Sequence, residues 1–192
     1  MTLLTSPEDL KTSKKLMGAI YGEPGIGKTT LALSSPNPVC IDFDRGMHRV
    51  EPQYRVPSLQ VNSYNEVLEL LSSGDLESFD TIVFDTLGKM IDRMGDYAAQ
   101  NNTKLRKTDG QLSMQGWGAV KVLFSNFIKL LESKNKAAIF VAHEAEEKQG
   151  EEIKKRMDVS GSAKKDIVKE LDFMGYMQAV GNRRMISFSP SD

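Results

Sequence analysis

Cysteine is nearly absent from this sequence, with Cys40 the single one in 192 residues. One cysteine forms no internal disulfide, and Cys40 sits in the apolar run Val39-Cys40-Ile41, where a buried strand residue is expected rather than a catalytic thiol. Net charge is also close to nil, at -1. That leaves no global pull toward nucleic acid or an anionic membrane, so any such attraction has to come from local basic segments. Long apolar runs are missing as well. Met1 to Lys15 is polar apart from Leu3, Leu4 and Leu10, which excludes a signal peptide or a membrane span there. A cytoplasmic protein with no membrane partner is the expectation. There is no internal repeat and no low-complexity tract. A content of 40% hydrophobic and 27% charged residues suits one α/β domain with a sizeable core.

Apolar segments and helical segments alternate along the chain. Leu16 to Tyr21 is a short apolar run ending at a glycine-rich turn, the pattern of a buried strand feeding a βα loop. Helix formers follow from Lys28 to Ser34, and Pro36 and Pro38 stop them. Further strands are expected at Val39–Phe43, Ser58–Val61, Thr81–Asp85 and Ala137–Ala142. Between them, helical spacing runs from Glu66 to Leu71, through Leu87, Met90, Ile91 and Met94, and from Trp117 to Glu132. Trp117, Phe124 and Phe127 are read as packing residues of the last of these. Asn101 to Gln115 reads as a polar loop, and the highly charged Glu144 to Asp158 as a long mobile surface loop. After a short helix at Ala163–Leu171, Phe173–Val180 and Arg184–Phe188 flank Gly181-Asn182, a composition suited to a hairpin. Together these give an α/β fold: a mostly parallel sheet flanked by helices, with an antiparallel C-terminal hairpin.

The turn after the first strand reads Gly22-Glu23-Pro24-Gly25-Ile26-Gly27-Lys28-Thr29-Thr30, which satisfies the G-x-x-x-x-G-K-[ST] spacing. In that pattern the glycines let consecutive backbone N–H groups converge on phosphates, the lysine reaches the β- and γ-phosphates, and the hydroxyl ligates Mg²⁺. This P-loop points to ATP with Mg²⁺. Such a site also needs a carboxylate at the end of a neighbouring strand, and Asp85 has that placement, with Thr86 beside it; a helix cap before Leu87 is the plainer role. Hydrolysis needs a group to orient or deprotonate water. Asp44 is the candidate, set against a turn-capping role. His143, at a strand's C-terminal end, is placed to sense the γ-phosphate or to serve structure alone.

The order of these elements resembles the RecA/RadA recombinase core, and within it the phage-encoded RecA-like nucleotide-binding proteins of single-strand annealing. The resemblance rests on Gly22 to Thr29, Cys40-Ile41-Asp42-Phe43-Asp44, Thr81 to Asp85, and Ile139-Phe140-Val141-Ala142-His143-Glu144, and spans Leu16 to Phe188. It implies a RecA-like ATPase core over residues 16–192 after a flexible segment 1–15. It puts Asp44 in the position of the catalytic glutamate, Asp85 in that of the Mg²⁺-shell aspartate and His143 in that of the phosphate-sensing glutamine. Aspartate is shorter than glutamate and histidine replaces an amide; both departures bear on the hydrolysis rate more than on nucleotide binding.

The resemblance further implies single-stranded DNA as partner, gripped by two loops. These correspond to Asn101–Gln115, with Lys104, Arg106 and Lys107, and to Glu144–Gly161, with Lys148, Lys154, Lys155 and Arg156. The second loop also carries Glu146, Glu147, Glu151 and Glu152, which oppose DNA unless the charges are segregated, and neither loop has an aromatic for stacking. Solvated loops that touch nothing are the alternative. Arg183 and Arg184 are read as fingers reaching a neighbouring subunit's γ-phosphate, or as plain hairpin charges. Leu3-Leu4 with Leu10 is the candidate docking element for a homo-oligomer or filament on DNA, and a single-strand-binding protein is a further possible partner. A phage-encoded copy would act in the cytoplasm of its bacterial host. Two other functions compete: a small-molecule P-loop kinase, for which no arginine-rich lid is evident, and a non-hydrolysing ATP switch that recruits a replication partner.

Overall fold

The computed structural model describes Ser6 and residues 15–149, 152–160 and 164–188. The docking element expected at Leu3-Leu4 and Leu10 lies outside the described residues, as do Glu151 and Gly161. The first strand, β1 (Met17–Gly22), leads into helix α1 (Lys28–Leu33) and then β2 (Pro38–Asp42) and β3 (Ser58–Gln60). Helix α2 (Tyr64–Ser72), β4 (Thr81–Asp85), and the long helices α3 (Leu87–Asn101) and α4 (Met114–Ser133) follow. The chain continues with β5 (Ala137–Gln149), β6 (Glu152–Met157), α5 (Lys164–Lys169), β7 (Phe173–Val180) and β8 (Arg183–Ser187).

The main sheet has the order β3-β2-β4-β5-β1-β7-β8. All these neighbours pair in parallel except β7 and β8, which form the antiparallel hairpin. This is an α/β P-loop NTPase fold. Helices cover both faces, which is why β1 and β4 are apolar without alternation and buried at every position. One face packs on α2, α3 and α4. There the rings of Phe84 and Phe140 stack at 5.0 Å, and Phe127 meets Phe84 edge-on at 5.2 Å. Phe124 and Phe127 are buried here and Trp117 packs at the margin, in the core role read from their spacing. The other face packs on α1 through Ile20, Cys40, Val83, Val141 and Met177. Burial pushes the Cys40 thiol well above its ordinary range, so it is inert.

The register gathers the C-terminal ends of the strands. Gly22 lies opposite both His143 and Met177, and Asp85 lies opposite Asp42. β5 sits between β1 and β4, one strand's width separating the glycine-rich turn from Asp85.

The charged segment after His143 is not a loop. β5 runs on to Gln149 and β6 returns antiparallel beside it. Composition alone hid this strand pair, because its stability is a cross-strand property: Glu146 faces Lys155 and Glu147 faces Lys154. The interval before α4 is likewise folded, with a short 3₁₀ turn at Thr103–Leu105 and an isolated bridge between Arg106 and Leu112. Among the described residues, no helix is long and apolar enough to cross a membrane.

Phe140 is fully buried at the centre of the aromatic cluster. Phe140→Ala is expected to cost about 3–5 kcal/mol of unfolding free energy, seen in urea denaturation as a lower midpoint at unchanged slope.

Candidate functional site

The turn from β1 to α1 is shaped by two glycines. A Cβ on Gly22 would stand 2.2 Å from the Met177 carbonyl oxygen, so only glycine lets β7 approach β1 here. Gly27 holds φ 101, a left-handed conformation, as the residue before α1. Between them Ile26 is buried against the α1-side core, while Glu23, Pro24 and Gly25 are exposed.

Lys28 is buried and folds back over the turn, its Nζ donating to the carbonyls of Gly22 at 2.9 Å and Glu23 at 2.6 Å. Burial lowers its pKa, opposed by the charges of Asp85, Glu144 and Glu23. Beside it the Thr29 hydroxyl donates to Asp85 Oδ2 at 2.6 Å. The Asp85 carboxylate therefore faces the turn, and the N-cap position of α3 is taken by Thr86, which makes no side-chain cap. Burial raises the Asp85 pKa, the Thr29 hydrogen bond opposes that, and Asp44 and Asp42 add to the rise.

Two aspartates follow β2 with different surroundings. Asp42 accepts from the N–H groups of Gly46 and Met47, both at 2.9 Å, and so closes the turn itself. Asp44 is left facing a cavity of about 580 Å³, together with Lys28, Thr29, Thr30, Asp85 and His143. His143 Nε2 lies 4.0 Å from Asp44 Oδ2, and its Nδ1 is buried with no hydrogen-bond partner among the described residues. Cation anchor, hydroxyl–carboxylate pair and an acid–imidazole pair thus share one cavity. A family model for the AAA domain matches residues 14–192. The chain belongs to the AAA domain family. No curated protein matches it.

As an AAA domain this chain is a P-loop nucleotide-binding domain, and the cavity above is where its phosphate loop lies. Arg49 also lines that cavity and was not singled out from sequence, because an arginine in an irregular segment carries no spacing signal. The basic residues expected on DNA are distributed unevenly. Lys104 and Lys107 are exposed. Arg106 donates to Asp96 and to the Gly110 carbonyl. Arg93 approaches the same Asp96 at 3.6 Å, so in the cavity of about 470 Å³ between α2 and α3 two arginines share one carboxylate. Lys154, Lys155 and Arg156 lie on β6, and Lys155 turns toward the AAA domain's own P-loop. Its Nζ bonds Glu144 Oε1 at 2.7 Å and Glu23 Oε1 at 3.4 Å, which pushes its pKa upward.

Arg183 and Arg184 sit on β8. The Arg184 guanidinium lies beside the P-loop of its own chain: a Cβ at Gly27 would stand 3.1 Å from its Nη1. The hairpin register produces this, since Arg184 pairs with Ala179 two residues beyond Met177, the residue packed on Gly22.

With its pKa raised by burial, Asp85 holds a proton more tightly in the folded than in the unfolded chain. Its contribution to stability is full below the ordinary aspartate range and is lost as pH rises through the folded value. Asp85→Asn removes the buried charge while keeping an acceptor for Thr29. The ligand-free variant should gain on the order of 1 kcal/mol at about pH 7, with the gain shrinking toward about pH 4. Thermal denaturation at the two pH values checks this.

Proposed function

We propose that this chain is an ATP- and Mg²⁺-dependent, single-stranded-DNA-binding ATPase that hydrolyses slowly and acts in phage recombination by single-strand annealing. The nucleotide reading is carried by one observation: Lys28, the Thr29–Asp85 pair and the Asp44–His143 pair all line one cavity at the C-terminal ends of the strands.

A hydroxyl and a single carboxylate are the hard oxygen donors that Mg²⁺ takes when phosphates and water complete its shell, so the Thr29–Asp85 pair fits that ion. Bound there, Mg²⁺ supplies charge neutralisation of the phosphates. Lys28 then leaves the carbonyls of Gly22 and Glu23 for the β- and γ-phosphates, a move of a flexible side chain around a fixed loop. Asp44, not engaged by the turn that Asp42 closes, orients the attacking water and takes its proton. His143 lines the same cavity and would be placed to hydrogen-bond the γ-phosphate.

The DNA half of the reading is supported by the resemblance and by the β5–β6 pair. That pair places Lys154, Lys155 and Arg156, with Glu152, on β6 and Glu144, Glu146 and Glu147, with Lys148, on β5, and β6 pairs with no described strand besides β5. Lys154 and Lys155 face Glu147 and Glu146 across the pair, so their charge is partly offset, and the DNA half leans chiefly on the resemblance.

The test is ATP turnover with and without single-stranded DNA, beside a gel shift with a non-hydrolysable ATP analogue. Turnover stimulated by DNA is expected. Tight ATP binding with no turnover would assign a switch instead, and phosphate transfer to a small acceptor a kinase. Lys28→Ala should weaken ATP binding at least about tenfold. Asp44→Asn should leave ATP affinity within about threefold and lower kcat by about 10²–10⁴-fold; a loss of affinity with kcat intact would remove Asp44 from the chemistry.

A further inference from the structure

A second cleft adjoins the P-loop on the side away from Asp85, Asp44 and His143. It measures about 450 Å³ and is lined by Gly27 of the loop, Thr30 and Leu31 of α1, Ser34 just after it, and by Tyr54, Met177 and Arg184. Gly27 and Thr30 line both cavities, so the two meet at the start of α1. The Arg184 guanidinium stands over this junction. A Cβ on Gly27 would lie 3.1 Å from Nη1, 3.7 Å from Cζ and 3.7 Å from Met177 Cε. Among the described residues no hydrogen bond or ion pair engages Arg184, whereas Arg106 and Lys155 are both committed to carboxylates. A guanidinium with all its donors free beside an anion-binding turn favours an anionic or acceptor-rich ligand.

The direction of the nucleotide follows from the reading above, on which this inference rests. With the γ-phosphate beside Asp85, Asp44 and His143, the α-phosphate and nucleoside leave the loop across Thr30, into the second cleft. We propose that Arg184 is a nucleotide-binding residue acting in cis, which grips the α-phosphate end of the nucleotide held by its own chain. The β7–β8 hairpin then forms the outer wall of the nucleotide site. The same residue read from sequence as a finger for a neighbour's γ-phosphate serves its own loop, because β8 pairs back along the strand that packs on Gly22.

The two assignments differ in what they do to ADP. A γ-phosphate finger touches only the triphosphate; a grip on the α-phosphate touches ATP and ADP alike. Titration of fluorescent ATP and ADP analogues into wild type, Arg184→Ala and Arg184→Lys, with circular dichroism to confirm the fold, separates them. We expect Arg184→Ala to weaken both nucleotides by a similar factor of about tenfold or more, and Arg184→Lys to recover part of the loss. Mixing Arg184→Ala chains with Lys28→Ala chains should restore no ATP turnover, since neither chain has a complete site. Unchanged ADP affinity in Arg184→Ala, or turnover restored by mixing, overturns the cis assignment and leaves the nucleotide reading standing. Wild type that binds neither analogue overturns both.

Discussion

One hydrogen bond ties the site together: the 2.6 Å contact from the Thr29 hydroxyl to Asp85 Oδ2. Thr29 lies in α1, which β1 feeds, and Asp85 ends β4, and these two strands do not touch because β5 runs between them. For the contact to form, β1 and β4 have to end close to one another along β5, with α1 starting over that strand. The register Gly22↔His143 and Asp85↔Val141 delivers that closeness. Everything else in the cavity takes its place from this bridge. Lys28 precedes Thr29 and is turned back over the loop, His143 ends the in-sheet part of the intervening strand, and Asp44 follows the strand on the far side of β4.

The electrostatics are those of a site held in tension. A buried lysine has a lowered pKa and a buried aspartate a raised one, and the charge of Asp85 partly offsets the cost of burial at Lys28. Desolvation outweighs attraction at both residues, and both are costly to the fold while ligand-free. On the outer side of the loop, Lys155 joins Glu144 to Glu23, fixing the exposed first turn of the P-loop to the β5–β6 pair. The phosphate loop is thus held from below by Met177, from inside by Asp85 and from outside by Lys155.

How much of this is legible from residues alone depends on the range of the interaction involved. The P-loop is a local object. Gly22, Gly27, Lys28 and Thr29 are specified by spacing, and the strand before and helix after them follow from apolar runs and proline stops. Asp85 is less legible by itself, since an acid after an apolar run can equally cap the next helix, and it is the P-loop that singles it out. Asp42 and Asp44 look alike in sequence and part company only when the turn at Gly46 and Met47 claims the first. The β5–β6 strands are illegible by composition because each is charged enough to pass for solvated loop; their pairing exists only between them. Where Arg184 points is the least local fact of all, fixed by a hairpin register and by a strand neighbour more than 150 residues away in sequence.

The main sheet ends on β3, three residues long, and on β8, which begins with Arg183 and Arg184. Open sheets with long apolar edges recruit one another, and short or cationic edges suppress that pairing. β8 also exposes Met185, with Phe188 just beyond it, so its two arginines are the main counterweight to an adhesive border. Solubility and ligand recognition therefore draw on one short strand, and a sequence drifting toward a more apolar β8 would meet self-association before it lost its fold.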